Sequence, residues 1–90
     1  MPIDVVAAIY IVRAMNEIVS HLLTQAVERF GSEAAAAREA GVSQPTFFIA
    51  RRKGQVGVKL AMGIDKATNG EISKSDLRPD IWPKDEGRSP

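Results

Sequence analysis

Basic and polar side chains concentrate in one part of this sequence, between positions 43 and 66. From Gln44 to Lys66 there are five basic residues and one acid, Asp65, so the stretch is basic by four charges although the whole chain has a formal net charge of only +1. Local charge, and not the total, sets the field that a phosphate backbone feels. The pattern therefore predicts a polyanionic partner for this stretch.

The composition offers little for catalysis or for binding a metal. Cysteine is absent and His21 is the only histidine, with no carboxylates clustered near it, so the sequence supplies no metal-ligand set. It also has no glycine-rich phosphate loop and no paired carboxylates placed around a plausible pocket. We therefore expect no enzyme, no cofactor, no metal and no small-molecule substrate. The apolar run Val5–Val12 is too short to span a membrane.

The basic stretch begins with the second of two short predicted helices that are joined by a glycine turn. Capping preferences place the first helix between Ser32 and Gly41. The second helix is capped by Ser43 and continues to Arg52 or Lys53. A short helix, a glycine turn and a second helix form the unit that presents its second helix to the major groove of DNA.

The spacing of small and apolar residues agrees with such a helix-turn-helix. Ala37 provides the small side chain needed where the two helices cross, and Gly41 accepts the positive φ of the turn. Val42 is expected to point inward, and Phe47 to fill the core between the helices. Helical hairpins that never contact DNA also satisfy this spacing, so a module that docks a protein partner, such as an antitoxin or adaptor, is the alternative.

The candidate DNA contacts lie on the second helix and just after it. They are Ser43, Gln44, Pro45, Thr46, Phe48, Ile49, Arg51, Arg52, Lys53 and Lys59. Gln44 suits a bidentate contact with adenine, and Thr46 suits a phosphate or a thymine methyl group. Arg51 and Arg52 suit phosphates, or guanine if one of them reaches the groove floor.

The other candidates have structural alternatives. Ser43 is first of all a helix cap that could also bond a phosphate, and Lys53 and Lys59 suit contacts with the DNA backbone. The apolar pair Phe48 and Ile49 is predicted to face outward if Phe47 is inward. The pair then contacts thymine methyl groups, or belongs to the core or to a dimer surface.

The remaining helices follow from apolar spacing. Positions 5–30 predict either one long helix or two segments that meet near Asn16, although the β-branched run from Val5 would also suit a strand. A further helix is expected over positions 58–68, and a last helical turn over 74–77. We expect Ile81 and Trp82 to fold back onto the core.

Three segments resemble the Cro-like, YdaS-type family of phage and prophage helix-turn-helix regulators. They read SEAAAAREAGVSQP at positions 32–45, IDKATNG at 64–70 and DLRPDIW at 76–82. The resemblance covers about residues 16–82 and implies a dimer that binds operator DNA and represses phage or toxin–antitoxin genes. Two departures concern the predicted interface. Glu33 stands where the family often has Gln, and Phe48-Ile49 stands where a polar pair is common.

Together these features predict an all-α, lambda-repressor-like bundle of about five helices that contains a helix-turn-helix. Residues 1–15 form an apolar, helical N-terminal extension, residues 16–82 the DNA-binding domain, and residues 83–90 a disordered tail. The expected function is that of a Cro-type repressor, in the cytoplasm of a bacterial host and associated with its nucleoid. The expected partners are double-stranded operator DNA and further copies of the chain. The extension is expected to promote self-association, or else to lengthen a first helix that packs on its own core.

Overall fold

The computed structural model describes residues 5–83, and these form five helices with no strand among them. The helices are α1 Val5–Phe30, α2 Glu33–Ala40, α3 Gln44–Lys53, α4 Val58–Ala67 and α5 Lys74–Leu77. The all-helical prediction is confirmed, and α1 is one continuous helix that passes through Asn16 without a break. Positions 1–4 of the predicted extension and positions 84–90 of the predicted tail lie outside the described residues.

One apolar core joins the C-terminal half of α1 to the other helices. Its largest fully buried apolar side chains are Leu23 from α1, Phe47 from α3, Ile64 from α4 and Leu77 from α5. Small side chains of α2, among them Ala37, fill the space between these larger groups. The predicted inward positions of Phe47 and Ala37 are confirmed, and Val42 packs against the same core.

Serine caps begin three of the helices in the way that the sequence predicts. The side-chain oxygens of Ser32, Ser43 and Ser73 each accept a hydrogen bond from the backbone N–H three residues later, at 3.0, 3.2 and 3.0 Å. Gly41 then ends α2 in the left-handed conformation with φ of 80°, where a side chain would be strained. The boundaries of α2 and α3 thus follow from local hydrogen bonding.

Two glycines allow helices to touch backbone to backbone. A Cβ atom added at Gly63 of α4 would lie 2.0 Å from the carbonyl oxygen of Ala40 at the end of α2. One added at Gly54, directly after α3, would lie 2.0 Å from the carbonyl oxygen of Asn16 in α1. The first contact therefore brings α4 close to the end of α2, and the second brings the end of α3 close to α1.

Hydrogen bonds of Thr68 and Arg78 fasten the C-terminal segment to the rest of the domain. The buried hydroxyl of Thr68 donates to the carbonyl oxygen of Ile64 at 2.8 Å and accepts from the N–H of Ile72 at 3.0 Å. The Arg78 guanidinium donates to the carbonyl oxygen of Val56 at 2.8 Å, and its hydrogen bonds to the Asp80 carboxylate lower the pKa of that group.

The prediction for the aromatic residue at the end of this segment is confirmed, whereas the prediction for its neighbour is wrong. Trp82 packs against the core, and the Lys74 ammonium lies 5.4 Å from the centre of its ring. Ile81 instead remains 39% exposed, because the N–H groups of Ile81 and Trp82 both bond to the carbonyl of Arg78 and this tight turn directs only one side chain inward.

The N-terminal half of α1 does not pack on the core of its own chain. Among the α1 residues whose burial is described, Val19 is the first buried one, and the large apolar side chains before it are all at least 43% exposed. The described large apolar side chains of the extension are therefore exposed in the single chain, and its role in self-association stays a prediction.

Candidate nucleic-acid interface

Helix α3 lies on the surface with one side against the core and the other open to solvent. Phe47 and Ala50 are buried on the side of α3 that packs mainly against α1 and α2. Helical spacing puts four residues on the opposite side, at positions i, i+3, i+4 and i+7. These residues are Pro45, Phe48, Ile49 and Arg52, and all four are exposed. The centre of the outer face is therefore largely apolar, with one guanidinium at its C-terminal end.

The exposure of Phe48 and Ile49 removes one of the alternatives left open by the sequence. Phe48 is 48% exposed and Ile49 is 51% exposed, while their neighbour Phe47 is fully buried. The pair does not belong to the core, so contact with DNA and contact with a protein remain. Exposed large apolar groups at the centre of a helix face are typical of an interaction surface.

Polar candidates flank this outer face on both edges. Gln44 and Arg51 share the edge that faces α1 and the start of α2, whereas Thr46 and Lys53 share the other edge. The hydroxyl of Ser43 donates to the Thr46 hydroxyl at 2.8 Å, which fixes both groups at the N-terminus of α3. The exposed side chain of Gln44 therefore lies near two hydroxyl groups, those of Ser43 and Thr46, whose orientation is already fixed.

Lys59 belongs to α4 but lies near Ser43, Thr46 and Ile49 at the N-terminal part of α3. It lines a shallow hollow together with Ser43, Thr46 and Ile49. The structure thus brings nine candidates together on α3 or its cap and adds Lys59 from the next helix. Lys53 and Lys59 are both exposed, so their ammonium groups are free to approach a phosphate on this side of α3.

An ion pair that sequence reasoning did not find connects α2 with α3. Arg51 donates to the Glu33 carboxylate at 3.1 Å, and the Glu33 side chain is only 19% exposed. The sequence alone marks Glu33 as a departure from the family pattern and Arg51 as a candidate DNA contact, and it does not link the two residues. Opposite charges at the start of α2 and late in α3 were the available signal, but only the packing angle of the two helices brings them together.

The Glu33–Arg51 ion pair reduces the positive charge that is available at the candidate interface. Arg51 is already neutralised by Glu33, whereas Arg52, Lys53 and Lys59 make no ion pair that is defined in the described part of the chain. Positive charge without an ion-pair partner among the described residues therefore lies mainly at the C-terminal end of α3 and the start of α4. The centre of the outer face carries the uncharged pair Phe48 and Ile49, and the uncharged Gln44 lies at its edge.

Other kinds of site find no support in the described residues. Residues 5–83 contain no group of three or more His, Asp or Glu side chains arranged to hold a metal ion. None of the helices over these positions is long and apolar enough to cross a membrane.

Comparison with known proteins identifies one partial relative and one family. A 26-residue segment of the chain is 62% identical to a "Prophage transcriptional regulatory protein" of Escherichia coli strain K12, a name that describes a regulator and not an enzyme. The match spans 29% of this chain and 39% of that relative. No solved structure matches the chain. The model of the family described as "Bacterial toxin YdaS" matches residues 23–86, which include α2 to α5. The chain therefore belongs to the bacterial toxin YdaS family.

Proposed function

We propose that the protein is a sequence-specific DNA-binding transcriptional regulator that inserts α3 into the major groove. The observation that carries this proposal is the exposed side of α3, where Phe48, Ile49 and Arg52 lie on the outer face and Gln44 lies at its edge. The E. coli relative is named as a prophage regulator. The specific role proposed here is that of a Cro-type repressor of a phage, prophage or toxin–antitoxin operon.

The proposed complex contains two copies of the chain on a palindromic operator. A two-fold protein reads two half-sites whose centres lie about 34 Å apart, one turn of B-DNA. Each α3 then supplies the base contacts, while Lys53 and Lys59 bind phosphates along the edge of α3 that carries Thr46. The regulator would act at the chromosome in the bacterial cytoplasm.

Within this proposal, Gln44 contacts a base and Lys53 contacts a phosphate. An experiment distinguishes these two roles. Gln44→Ala is expected to weaken operator binding by roughly 1–3 kcal/mol and to relax the preference for one base pair, because a bidentate contact is lost. Lys53→Ala is expected to weaken binding to all sequences alike and to flatten the salt dependence by about one phosphate contact. Fluorescence anisotropy on operator and random duplexes at several salt concentrations measures both effects.

The control for this pair is Lys66→Ala, which removes a positive charge from the far end of α4. Its affinity and salt dependence should stay close to those of the wild type. If Gln44→Ala and Lys53→Ala lose the same affinity on operator and on random DNA, the assignment of base contact and phosphate contact is wrong.

The Glu33–Arg51 pair predicts a gain of binding. Glu33→Gln keeps the size and a hydrogen-bonding oxygen of the side chain but removes its negative charge, so Arg51 becomes available to a phosphate. We expect tighter binding at low salt and a plot of log affinity against log salt that steepens by up to about 0.9. Arg51→Ala in the Glu33→Gln background is the control, because it should cancel the gain. An unchanged slope in Glu33→Gln would show that Arg51 does not face DNA.

A second candidate function is favoured by the apolar centre of the same face. Phe48 and Ile49 would equally suit a protein partner, in which case the module would be an antitoxin or an adaptor. A mobility-shift assay with the upstream DNA of the gene discriminates between the two. If no shift is seen at low salt, the proposal of a DNA-binding regulator is wrong and the protein-interaction module is the remaining candidate.

A further inference from the structure

A polar hollow of about 550 Å³ lies between α1 and α3, and we call it the α1–α3 hollow. Its wall on α1 consists of Ser20 and Thr24, which lie one helical turn apart. The other walls are formed by one residue of α2 and three of α3, which are Glu33, Phe48, Arg51 and Arg52. Phe48 and Arg52 also belong to the outer face of α3, so the hollow opens beside the face that is proposed to enter the groove.

The charged side chains of the α1–α3 hollow are two guanidiniums and one carboxylate, which together leave one positive charge. Arg51 donates to the Glu33 carboxylate at 3.1 Å, so these two charges cancel. Arg52 is exposed and makes no ion pair that is defined over residues 5–83. The remaining charge matches that of one phosphodiester group, because each phosphate of a DNA strand carries a single negative charge.

The two hydroxyl groups on the α1 wall differ in whether they have a proton to donate. The Thr24 hydroxyl donates to the carbonyl oxygen of Ser20 at 3.0 Å, so its proton is already used within α1. Ser20 is half-buried, and no hydrogen bond of its hydroxyl is defined in the described part of the chain. Ser20 can therefore donate to an acceptor in the hollow, whereas Thr24 would first have to break a bond in its own helix.

The width of the major groove requires contacts on both edges of α3. The groove is about 12 Å wide and an α-helix with its side chains is about 10–12 Å across, so an inserted helix lies against the backbones of both strands. Lys53 and Lys59 serve the edge that carries Thr46. The α1–α3 hollow lies at the opposite edge, which carries Gln44 and Arg51 and faces α1.

We infer that the α1–α3 hollow holds one phosphate of the DNA backbone, which Arg52 binds by its charge and Ser20 by its hydroxyl. The inference rests on the proposed function and extends it to α1 and to the second DNA strand. It assigns Arg52 to a phosphate and not to guanine. The Glu33–Arg51 pair forms a neutral wall, so a single guanidinium is left to pair with a single phosphate.

The test is fluorescence anisotropy of the full chain at several salt concentrations, on the upstream DNA of the gene and on a random duplex. Arg52→Gln should weaken binding to both duplexes alike and lower the slope of log affinity against log salt by about 0.9, because one phosphate contact is lost. Ser20→Ala should weaken binding to both about three- to tenfold and leave the slope unchanged, because the lost donor is uncharged. Alanine is a strong helix former, so Ser20→Ala should keep the fold.

Thr24→Val is the matched control for Ser20→Ala. It removes the neighbouring hydroxyl, whose proton is already used, so its affinity should stay close to that of the wild type. The double variant Ser20→Ala/Arg52→Gln shows whether both residues hold the same phosphate. Its loss should be smaller than the two single losses combined, because each single change already weakens the hold on that phosphate. Circular dichroism should be alike in all of these proteins.

The outcomes separate this inference from the proposed function. Wild-type affinity in Ser20→Ala, or an equal loss in Thr24→Val, would overturn the inference while DNA binding by α3 stands. A loss in Arg52→Gln that is confined to the upstream DNA, with an unchanged salt slope, would assign Arg52 to a base and also overturn it. A wild type that binds neither duplex at low salt would defeat the proposed function, and the inference with it.

A free anion is distinguished from a DNA phosphate by titration calorimetry with inorganic phosphate alone. The wild type should show no binding at millimolar concentration, because the groove backbone is needed to place the phosphate in the hollow. Binding of inorganic phosphate that Ser20→Ala abolishes would assign the α1–α3 hollow to a free anion and overturn the inference.

Discussion

Gly63→Ala is expected to destabilise the protein by about 3 kcal/mol or more, because the contact between α4 and α2 leaves no room for a methyl group. The added Cβ would lie 2.0 Å from the carbonyl oxygen and 2.8 Å from the carbonyl carbon of Ala40. Both are backbone atoms in a capped helix, so the two helices must move apart instead of a side chain turning aside. In a domain of this size such a loss is a large fraction of the total stability.

Urea unfolding followed by circular dichroism measures the effect of Gly63→Ala. The matched control is Gly57→Ala, because the added Cβ at Gly57 meets nothing within 4 Å and the backbone there has φ of −81°. We expect a change below about 1 kcal/mol for this control. A Gly63→Ala protein as stable as the control would show that α2 and α4 do not approach as closely as described.

Phe47→Ala and Phe48→Ala are expected to have opposite consequences although they remove the same side chain from adjacent positions. Phe47 is fully buried between the helices, so its removal should cost about 3–5 kcal/mol of folding free energy. Phe48 is 48% exposed, so its removal should change the stability by less than about 1 kcal/mol. Thermal unfolding of the two variants beside the wild type measures the difference.

The same pair tests the role of the outer face of α3. Phe48→Ala should stay folded and lose at least about 1 kcal/mol of operator affinity if its ring packs on thymine methyl groups. Phe47→Leu is a useful companion variant, since it keeps most of the buried volume and should bind DNA once folded. A Phe48→Ala protein with full operator affinity and lowered stability would contradict the assignment of this residue to the interface.

The helix boundaries could be predicted because local interactions decide them. Ser32, Ser43 and Ser73 bond to backbone groups three residues away, and Gly41 needs only its own φ. The periodicity of apolar residues likewise predicted that Phe47 is buried, since burial on one face repeats at helical spacing. These features require no knowledge of how distant helices meet.

Features that depend on distant helices were missed or wrongly predicted. The Glu33–Arg51 pair joins residues 18 positions apart, and neither residue signals the other in the sequence. In the sequence, Gly63 is only a glycine that lowers helix propensity. Its close contact with the backbone of Ala40 is known only once the two helices are packed together. Ile81 was expected in the core because it is apolar, but its tight turn with Trp82 leaves room there for the indole ring alone. Which partner the outer face of α3 meets stays a prediction.

The close backbone approach of Gly54 to Asn16 has a consequence for how the chain can vary. A side chain at position 54 would collide with the carbonyl oxygen of Asn16, so the end of α3 and the middle of α1 keep one fixed arrangement only while position 54 is glycine. Under the proposed function, a substitution that shifts α1 near Asn16 would therefore also shift the helix that is proposed to enter the groove. A substitution at an exposed position such as Gln44 would instead change the proposed contact surface and leave both helices in place.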